Sequence, residues 1–272
     1  MIFIRLRWTV EECVSSKTIS LLIVAQNEEL NIGDCIKSGL FADEIIVLLD
    51  RSQDSTGSIA TGLGAKIVEG VWPDEGERRM RGIDACTGSW VLELDVDERI
   101  SPELAEEIKQ TVRSSNKDFY LIPFRNFIGD HDVKCGWGAY NGVGAKAALF
   151  RRGKKLWHQG TVHPKIELKG KKGQLSNPIN HFVYNDLTDM YHRLNKYSTA
   201  AAFDAVARTN FPNGFSTFRR FFSRFFRSYF QKQGFREGWV GVALGLFSAT
   251  YPVLTHLKIK ELLLKPKNKT LN

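Results

Sequence analysis

Four short apolar runs, separated by helix-like segments and ending in polar or acidic clusters, constrain this chain more than any other feature. Ile19–Ala25 reads as a continuous apolar run, as a strand buried on both faces requires, and Gln26-Asn27-Glu28-Glu29 follows it. Glu44–Leu49 is a second such run and ends at Asp50. Ala65–Val68 is a third, and Trp90–Leu94 leads straight into Asp95-Val96-Asp97. Between them the pattern predicts helices from the 26–29 turn to about Leu40, over Ser52–Leu63, and over Glu77–Cys86, where Gly88 stops it. Ser101-Pro102-Glu103 is a helix start, with an N-cap, a proline at the first position and an acid in the first turn. That helix is expected to reach about Arg113.

Strands that alternate with helices imply right-handed crossovers and a mainly parallel sheet. The fold class expected is α/β: a Rossmann-like sheet flanked by helices, with an amphipathic helical segment at the C-terminal end. Ligands of such sheets bind at the carboxyl ends of the strands. Here those ends carry Ala25 to Glu28, Asp50, and Asp95 to Asp97. Phe119–His181 shows no clear period, and irregular strands and site loops are expected there.

The 272 residues suffice for one large domain with an appendage. We expect a lead-in over 1–16, the α/β domain over 17–190 and a helical region over 191–272. The N-terminal MIFIRLRWTVEECV has arginines within a short apolar stretch and no small-residue cleavage site, so it reads as a lead-in, not a signal peptide. Cys13, Cys35, Cys86 and Cys135 lie far apart with no CxxC pair, which gives neither a zinc site nor a disulfide framework and suits a reducing cytoplasm.

Two carboxylates at i and i+2 on a strand end can address one hard cation if the backbone turns there. Asp95 and Asp97 are therefore candidate ligands of Mg²⁺ or Mn²⁺, with positions left for diphosphate oxygens and water. A bare Asp-x-Asp also fits a solvated turn; the polar ends of the first two strands favour a site. Glu28 and Asp50 are placed to accept hydrogen bonds from a base or ribose, whereas Asp54 reads as an acid near a helix start.

These pieces together resemble the family 2 glycosyltransferases of the GT-A fold. The matching stretches are ISLLIVAQNEELNIGDCIKS, ADEIIVLLDRSQDST, ACTGSW and VLELDVDERISPEL. Within that family LFRRGKKLWHQGTVHPKI, INHFVYNDLTDMYHRLNKYST and GFREGWVGVALGLFSATYPVLTHLK are similar to the subgroup that glucosylates lipopolysaccharide cores. The resemblance implies that Ala25, Asn27 and Glu28 line a nucleoside pocket and that Asp50 faces the base. It implies Asp95 near ribose and diphosphate, Asp97 as main metal ligand and Arg79 facing the diphosphate. The implied donor is a nucleotide-sugar, UDP-sugar favoured, and the acceptor a lipid-linked or lipopolysaccharide-core sugar.

Two departures stand out. Relatives have Asn where this chain has Met80, and many read Val-His-Glu where it has Val162-His163-Pro164. Inverting transfer needs a base for the acceptor hydroxyl, and proline is none. Glu167, His163, Asp130 and Asp132 are the replacement candidates. Trp137, Tyr140 and Trp157 are candidates to stack on sugars, and Arg151 and Arg152 to meet phosphate.

The charge of +8 is uneven: Phe211–Arg236 holds six basic residues and no acid. From Phe218 the positions 218, 221, 222, 225, 226 and 229 share one helical face, with Arg220, Arg224 and Arg227 opposite, as an interfacial helix requires. The charge-free Gly238–Leu257 has the length to span a bilayer, but its Gly, Ser, Thr and Pro content favours a buried or surface hairpin. The lysines that follow suit an anionic cytoplasmic leaflet. We therefore expect a cytoplasmic protein, peripheral on the inner face of the cell membrane, with no nucleic-acid partner. Two rivals are a sugar-nucleotide nucleotidyltransferase, against which AQNEE replaces a Gly-rich loop, and a non-catalytic membrane or nucleic-acid module.

Overall fold

The computed structural model describes residues 17–136, 144–159, 164–209 and 211–264. Strands and helices alternate through β1 (Ile19–Ala25), α1 (Ile32–Ser38), β2 (Glu44–Asp50), α2 (Thr56–Gly62), β3 (Lys66–Gly70), α3 (Glu75–Ala85) and β4 (Trp90–Asp95). The short β5 (Glu98–Arg99) and α4 (Pro102–Ser114) follow. Then come β6 (Phe119–Ile128), β7 (His131–Val133), β8 (Ala145–Arg151), β9 (Lys155–Trp157), β10 (Ile166–Leu168), β11 (Lys172–Gln174) and β12 (Ile179–Tyr184). The chain closes with α5 (Leu187–Ala207), α6 (Gly214–Phe226) and α7 (Trp239–Leu264).

The main sheet runs β3-β2-β1-β4-β8-β6-β12-β5. Its first four strands are parallel, β8 is antiparallel to both β4 and β6, and β12 returns parallel to β6. This is the GT-A-like mixed sheet flanked by helices, with an apolar helix at its C-terminal end. Each side of the sheet has its own core. Leu21, Ile23, Trp90, Leu92 and Leu94 pack with α1, α2 and α4, while Leu22 and Val91 pack with Ile83 and Cys86 at α3. Because strand side chains alternate, Glu93 and Asp95 follow Val91 onto the α3 face. That alternation decides where the charge of the site goes.

Ser101 caps α4 by accepting from the Leu104 amide, with Pro102 in the first turn, as expected. The helices after β1 and β2 are shorter than expected. Residues 27–29 and 52–56 bond to one another, and this cross-linking replaces the first helical turns. The 119–181 segment is more regular than its pattern suggests: β6 is a ten-residue strand inside the sheet. Pro123 and partial cover on both faces erase a clean alternation there.

Ile128, Val133, Met190, Val240 and Leu244 form a small core joining the β6–β7 hairpin to α5 and α7. Two glycines of the charge-free stretch serve packing. A Cβ at Gly241 would lie 1.7 Å from the Gly234 carbonyl oxygen, and one at Gly245 3.1 Å from the Phe225 ring. By length and composition α7 is the one helix among the described residues able to cross a membrane. The expected aromatic face of α6 is divided: Phe221, Phe225 and Tyr229 are half-buried, while Phe218, Phe222 and Phe226 are exposed. Arg224, expected on the polar side, instead lies half-buried with its guanidinium 5.7 Å from the Tyr251 ring.

Candidate functional site

The backbone turns sharply after β4, and side chains fix the turn. The Glu98 carboxylate accepts from the Asp95 amide at 2.9 Å, and Arg99 Nη1 donates to the carbonyls of Val96 (2.6 Å) and Glu98 (2.9 Å). Arg99 Nη2 reaches the Asn31 carbonyl at 3.0 Å, and the Phe182 amide donates to the Asp97 carbonyl at 2.8 Å. Asp97 is thus presented by a turn tied to both β1's loop and β12.

The Asp95 carboxylate lies between two cations. Arg79 Nη1 is 2.8 Å from Oδ1, and Lys146 Nζ is 2.9 Å from Oδ2. Burial pushes Asp95 up, but Arg79 and Lys146 outweigh it and hold the carboxyl well below its ordinary range. Arg79 also reaches Glu93 at 2.8 Å and Glu75 at 3.2 Å, so an arginine that the sequence allows on a surface is nearly enclosed. Glu93 is fully buried and accepts from Lys155 Nζ at 2.8 Å; Lys155 itself is 1% exposed. Burial raises Glu98 to about 7 despite Lys146, with Asp95 adding to the rise. A cavity of about 460 Å³ lies against this network, walled by Arg79, Asp95, Lys146, Trp157 and His181 among others. Asp97 is more loosely held, with His181 Nε2 at 3.6 Å and Arg193 at 3.8 Å. His181 thus faces Asp97 at the turn and also borders the cavity. Burial lowers the His181 pKa, but the bond to Asp97 and the nearby Glu98 and Asp95 charges raise it overall.

The first two strand ends meet as expected. Asn27 has φ 54° and Arg51 φ 55°, left-handed values that Asn tolerates better than Arg. Asn27 accepts from the Gln53 amide at 2.8 Å, Thr56 Oγ1 accepts from the Glu28 amide at 2.8 Å, and Glu29 accepts from the Ser55 amide at 3.0 Å. Asp54 accepts from the Glu29 and Thr56 amides, a turn-closing role in line with its reading as a residue at a helix start. Burial raises Glu28 despite its bond from Asn31, and Asp97 adds to the rise, so those two carboxylates lie within electrostatic reach. Ala25 is buried at the end of β1. Asp50 is fully buried, and its oxygens already accept from Arg51, Arg78 and the Trp72 amide. It can offer a base an oxygen only by giving up one of these donors.

The remaining candidates scatter. Ile166 and Leu168 face the cavity, so Glu167 between them points away, half-exposed and bonded to His158 at 3.0 Å. Asp130 is exposed in the β6–β7 turn, and Asp132 is paired with Arg125 at 2.7 Å. Arg151 donates to the Lys117 and Ser115 carbonyls, and Arg152 to that of Cys86. Arg151 pairs with Trp90 at the start of β4, roughly 17 Å along the strand from Asp95. Trp157 does border the cavity, with the Arg79 and Lys155 cations 5.2 and 5.0 Å from its ring. Trp137, Tyr140 and His163 lie outside the described residues.

Among the described residues no three His, Cys, Asp or Glu side chains converge as a ready-made metal cage. Asp97 suits a hard divalent cation of the kind that takes one or two carboxylates and fills its other positions with phosphate oxygens and water; Asp95, whose two oxygens already accept from Arg79 and Lys146, can join it only by giving up one of these donors. Arg79 and Lys146 beside them suit the same anion.

A family model described as Glycosyl transferase family 2 matches residues 20–156, from β1 through the cavity-lining Lys155. The chain is 29% identical over 263 residues to an uncharacterized glycosyltransferase of Rickettsia felis, covering 92% of each. It is 24% identical over 251 residues to a lipopolysaccharide core biosynthesis glycosyltransferase of Rhizobium meliloti, covering 89% of this chain and 92% of that one. A solved glucosyl-3-phosphoglycerate synthase of Mycobacterium tuberculosis, in complex with Mn²⁺, UDP and glucosyl-3-phosphoglycerate, is 27% identical over 46% of this chain and 51% of that chain. The TM-score of that match is 0.37.

Proposed function

Because the chain belongs to glycosyl transferase family 2, we propose that it moves a hexose from a nucleotide-sugar, UDP-sugar favoured, to a lipid-linked or lipopolysaccharide-core sugar with inversion at the anomeric carbon. The observation that carries this reading is the meeting of Asp95, Arg79 and Lys146 at the carboxyl end of β4, against a cavity of sugar-accommodating size, with Asp97 presented beside them. The Rhizobium meliloti relative supports the acceptor class.

In this reading Ala25, Asn27, Glu28 and Asp50 form the nucleoside side, and Asp95 and Asp97 hold the cation. A Mg²⁺ or Mn²⁺ ion there would supply the positive charge that neutralises a departing nucleoside diphosphate. Arg79 and Lys146, held in place by Glu93 and Glu98, would offer their cations to the diphosphate. Trp157 offers a flat apolar wall to the sugar. His163 is the proposed base: it belongs to the connection between β9 and β10, which contribute Trp157, Ile166 and Leu168 to the cavity. Residues 17–190 make the catalytic domain and 191–272 a helical region that holds the enzyme on the inner face of the cell membrane.

The test is the variant Asp97→Ala. It is expected to keep its fold by circular dichroism and to lose divalent-dependent turnover of nucleotide-sugars, read as nucleoside diphosphate release. Unchanged release rules the mechanism out.

A further inference from the structure

The surface of α6 has a feature that packing does not explain. Phe215, Phe218, Phe222, Phe226 and Phe230 are 80, 64, 55, 53 and 51% exposed. The last four recur every four residues, so they form one row on the helix and its continuation. Their rings rest on one another, 4.9 Å apart for Phe218–Phe222 and 5.2 Å for Phe226–Phe230. From Phe215 to Phe226 the row extends about 16 Å along the helix. Arg219 and Arg220 are exposed on the same helix and Arg227 directly after it, and no acid occurs between Asp204 and Glu237.

We propose that this phenylalanine row, with its flanking arginines, is the element that docks the chain on an anionic lipid bilayer. The proposal rests on the membrane location given above and names the surface responsible for it. An exposed apolar stripe of this length marks an interaction site, and charge decides what covers it. A second copy in a two-fold contact would bring arginine against arginine without an acid from the helix to compensate. Nucleic acid would meet rings whose faces are partly covered by their neighbours: Phe218 and Phe222 stand at 68° to one another. A bilayer accepts both parts of the surface. The rings enter the acyl boundary and the guanidinium groups stay at the anionic headgroups. Arg224 is turned toward Tyr251 and takes no part.

The experiment uses the full chain with sedimenting vesicles of phosphatidylcholine, alone or with one third phosphatidylglycerol. The wild type is expected to bind the mixed vesicles at least about tenfold more tightly than the neutral ones, with salt weakening the difference. The double variant Phe222→Ser/Phe226→Ser is expected to lose at least about tenfold in binding to mixed vesicles, because two rings no longer leave water. Its melting temperature and its donor turnover in solution are expected to stay at wild-type values. Arg219→Gln/Arg220→Gln is expected to reduce the preference for anionic vesicles while leaving neutral binding intact. Wild type that ignores mixed vesicles, or a Phe variant that binds them equally, overturns the proposal. So does a wild-type dimer that the Phe variant abolishes, or retention on single-stranded DNA without retention on vesicles. Vesicle binding is read without catalysis, so failure of the transferase reading is scored separately by Asp97→Ala.

Discussion

Replacing Glu93 with Gln keeps shape and removes one charge from the buried ion-pair network beside the cavity, and the structure sets the cost. Glu93 is fully buried, with Arg79 Nη1 and Lys155 Nζ each at 2.8 Å. Arg79 keeps Asp95 and Glu75 when Glu93 is neutral, but Lys155 keeps only neutral neighbours, the Ala147 carbonyl at 3.0 Å and the Phe150 and Trp157 rings at 5.1 and 5.0 Å. An ammonium left without its counter-charge in such a place costs about 3–5 kcal/mol. Lys155→Met is gentler, about 1.5–3 kcal/mol, because Glu93 still has Arg79. If the two residues act as a pair, the double variant falls short of the sum of the singles by about 2 kcal/mol or more. The same two cations act on the carboxyl's proton affinity. Burial pushes Glu93 up, but Lys155 and Arg79 bring it down to about 2 from an ordinary 4.5, a difference of about 3 kcal/mol. Lys155 bears the opposite load, since burial pushes its ammonium down and Glu93 restores it only in part. A depressed carboxylate stabilises the fold above its unfolded pKa. That contribution is full above about pH 4.5 and disappears as pH falls toward 2. Urea unfolding of the four proteins at neutral pH measures the cycle, and the Glu93→Gln melting point should fall by about 10 °C. A Glu93→Gln loss below about 1 kcal/mol, or strict additivity, refutes the buried-pair argument.

Two further outcomes follow from the geometry around the cavity. Gly76→Ala adds a helix-favouring methyl in α3, worth roughly 0.5–1 kcal/mol of stability on propensity alone. Its Cβ, however, would lie 1.9 Å from the His158 carbonyl oxygen, so thermal melting should show a net loss of about 1–3 kcal/mol; a gain would mean the contact is loose. Glu167→Gln should leave nucleoside diphosphate release within about twofold of wild type, because the side chain points away from the cavity. A drop of a hundredfold or more, in the range of a lost general base, would restore Glu167 as a candidate.

What was legible in the sequence follows physical range. The strands β1, β2 and β4 and the helix α4 are written locally, in runs of apolar residues and in the Ser101-Pro102 start, and the structure has them within a residue or two. The polar ends of β1, β2 and β4 could be ordered toward one edge from topology alone. The counter-charges could not. Lys146 and Lys155 come from strands some fifty and sixty positions beyond their partners, and Gly153-Lys154-Lys155 looks like any solvated basic turn. Yet one local signal was available: Trp90-Val91-Leu92-Glu93-Leu94 places a carboxylate inside a strand buried on both faces. A charge in that setting needs a partner. On the α3 side, which Glu93 shares with Asp95, α3 can supply an arginine and the later strands a lysine. The same reasoning applies to Asp50. A carboxylate at a buried strand end is equally able to bind a ligand or to anchor its own arginines, and Arg51 and Arg78 stand close enough to anchor it. Asp97 escapes that fate because the turn after β4 carries it beyond the sheet. There its neighbours stand 3.6 and 3.8 Å away, leaving a carboxylate held in place by the backbone instead of by tight ion pairs.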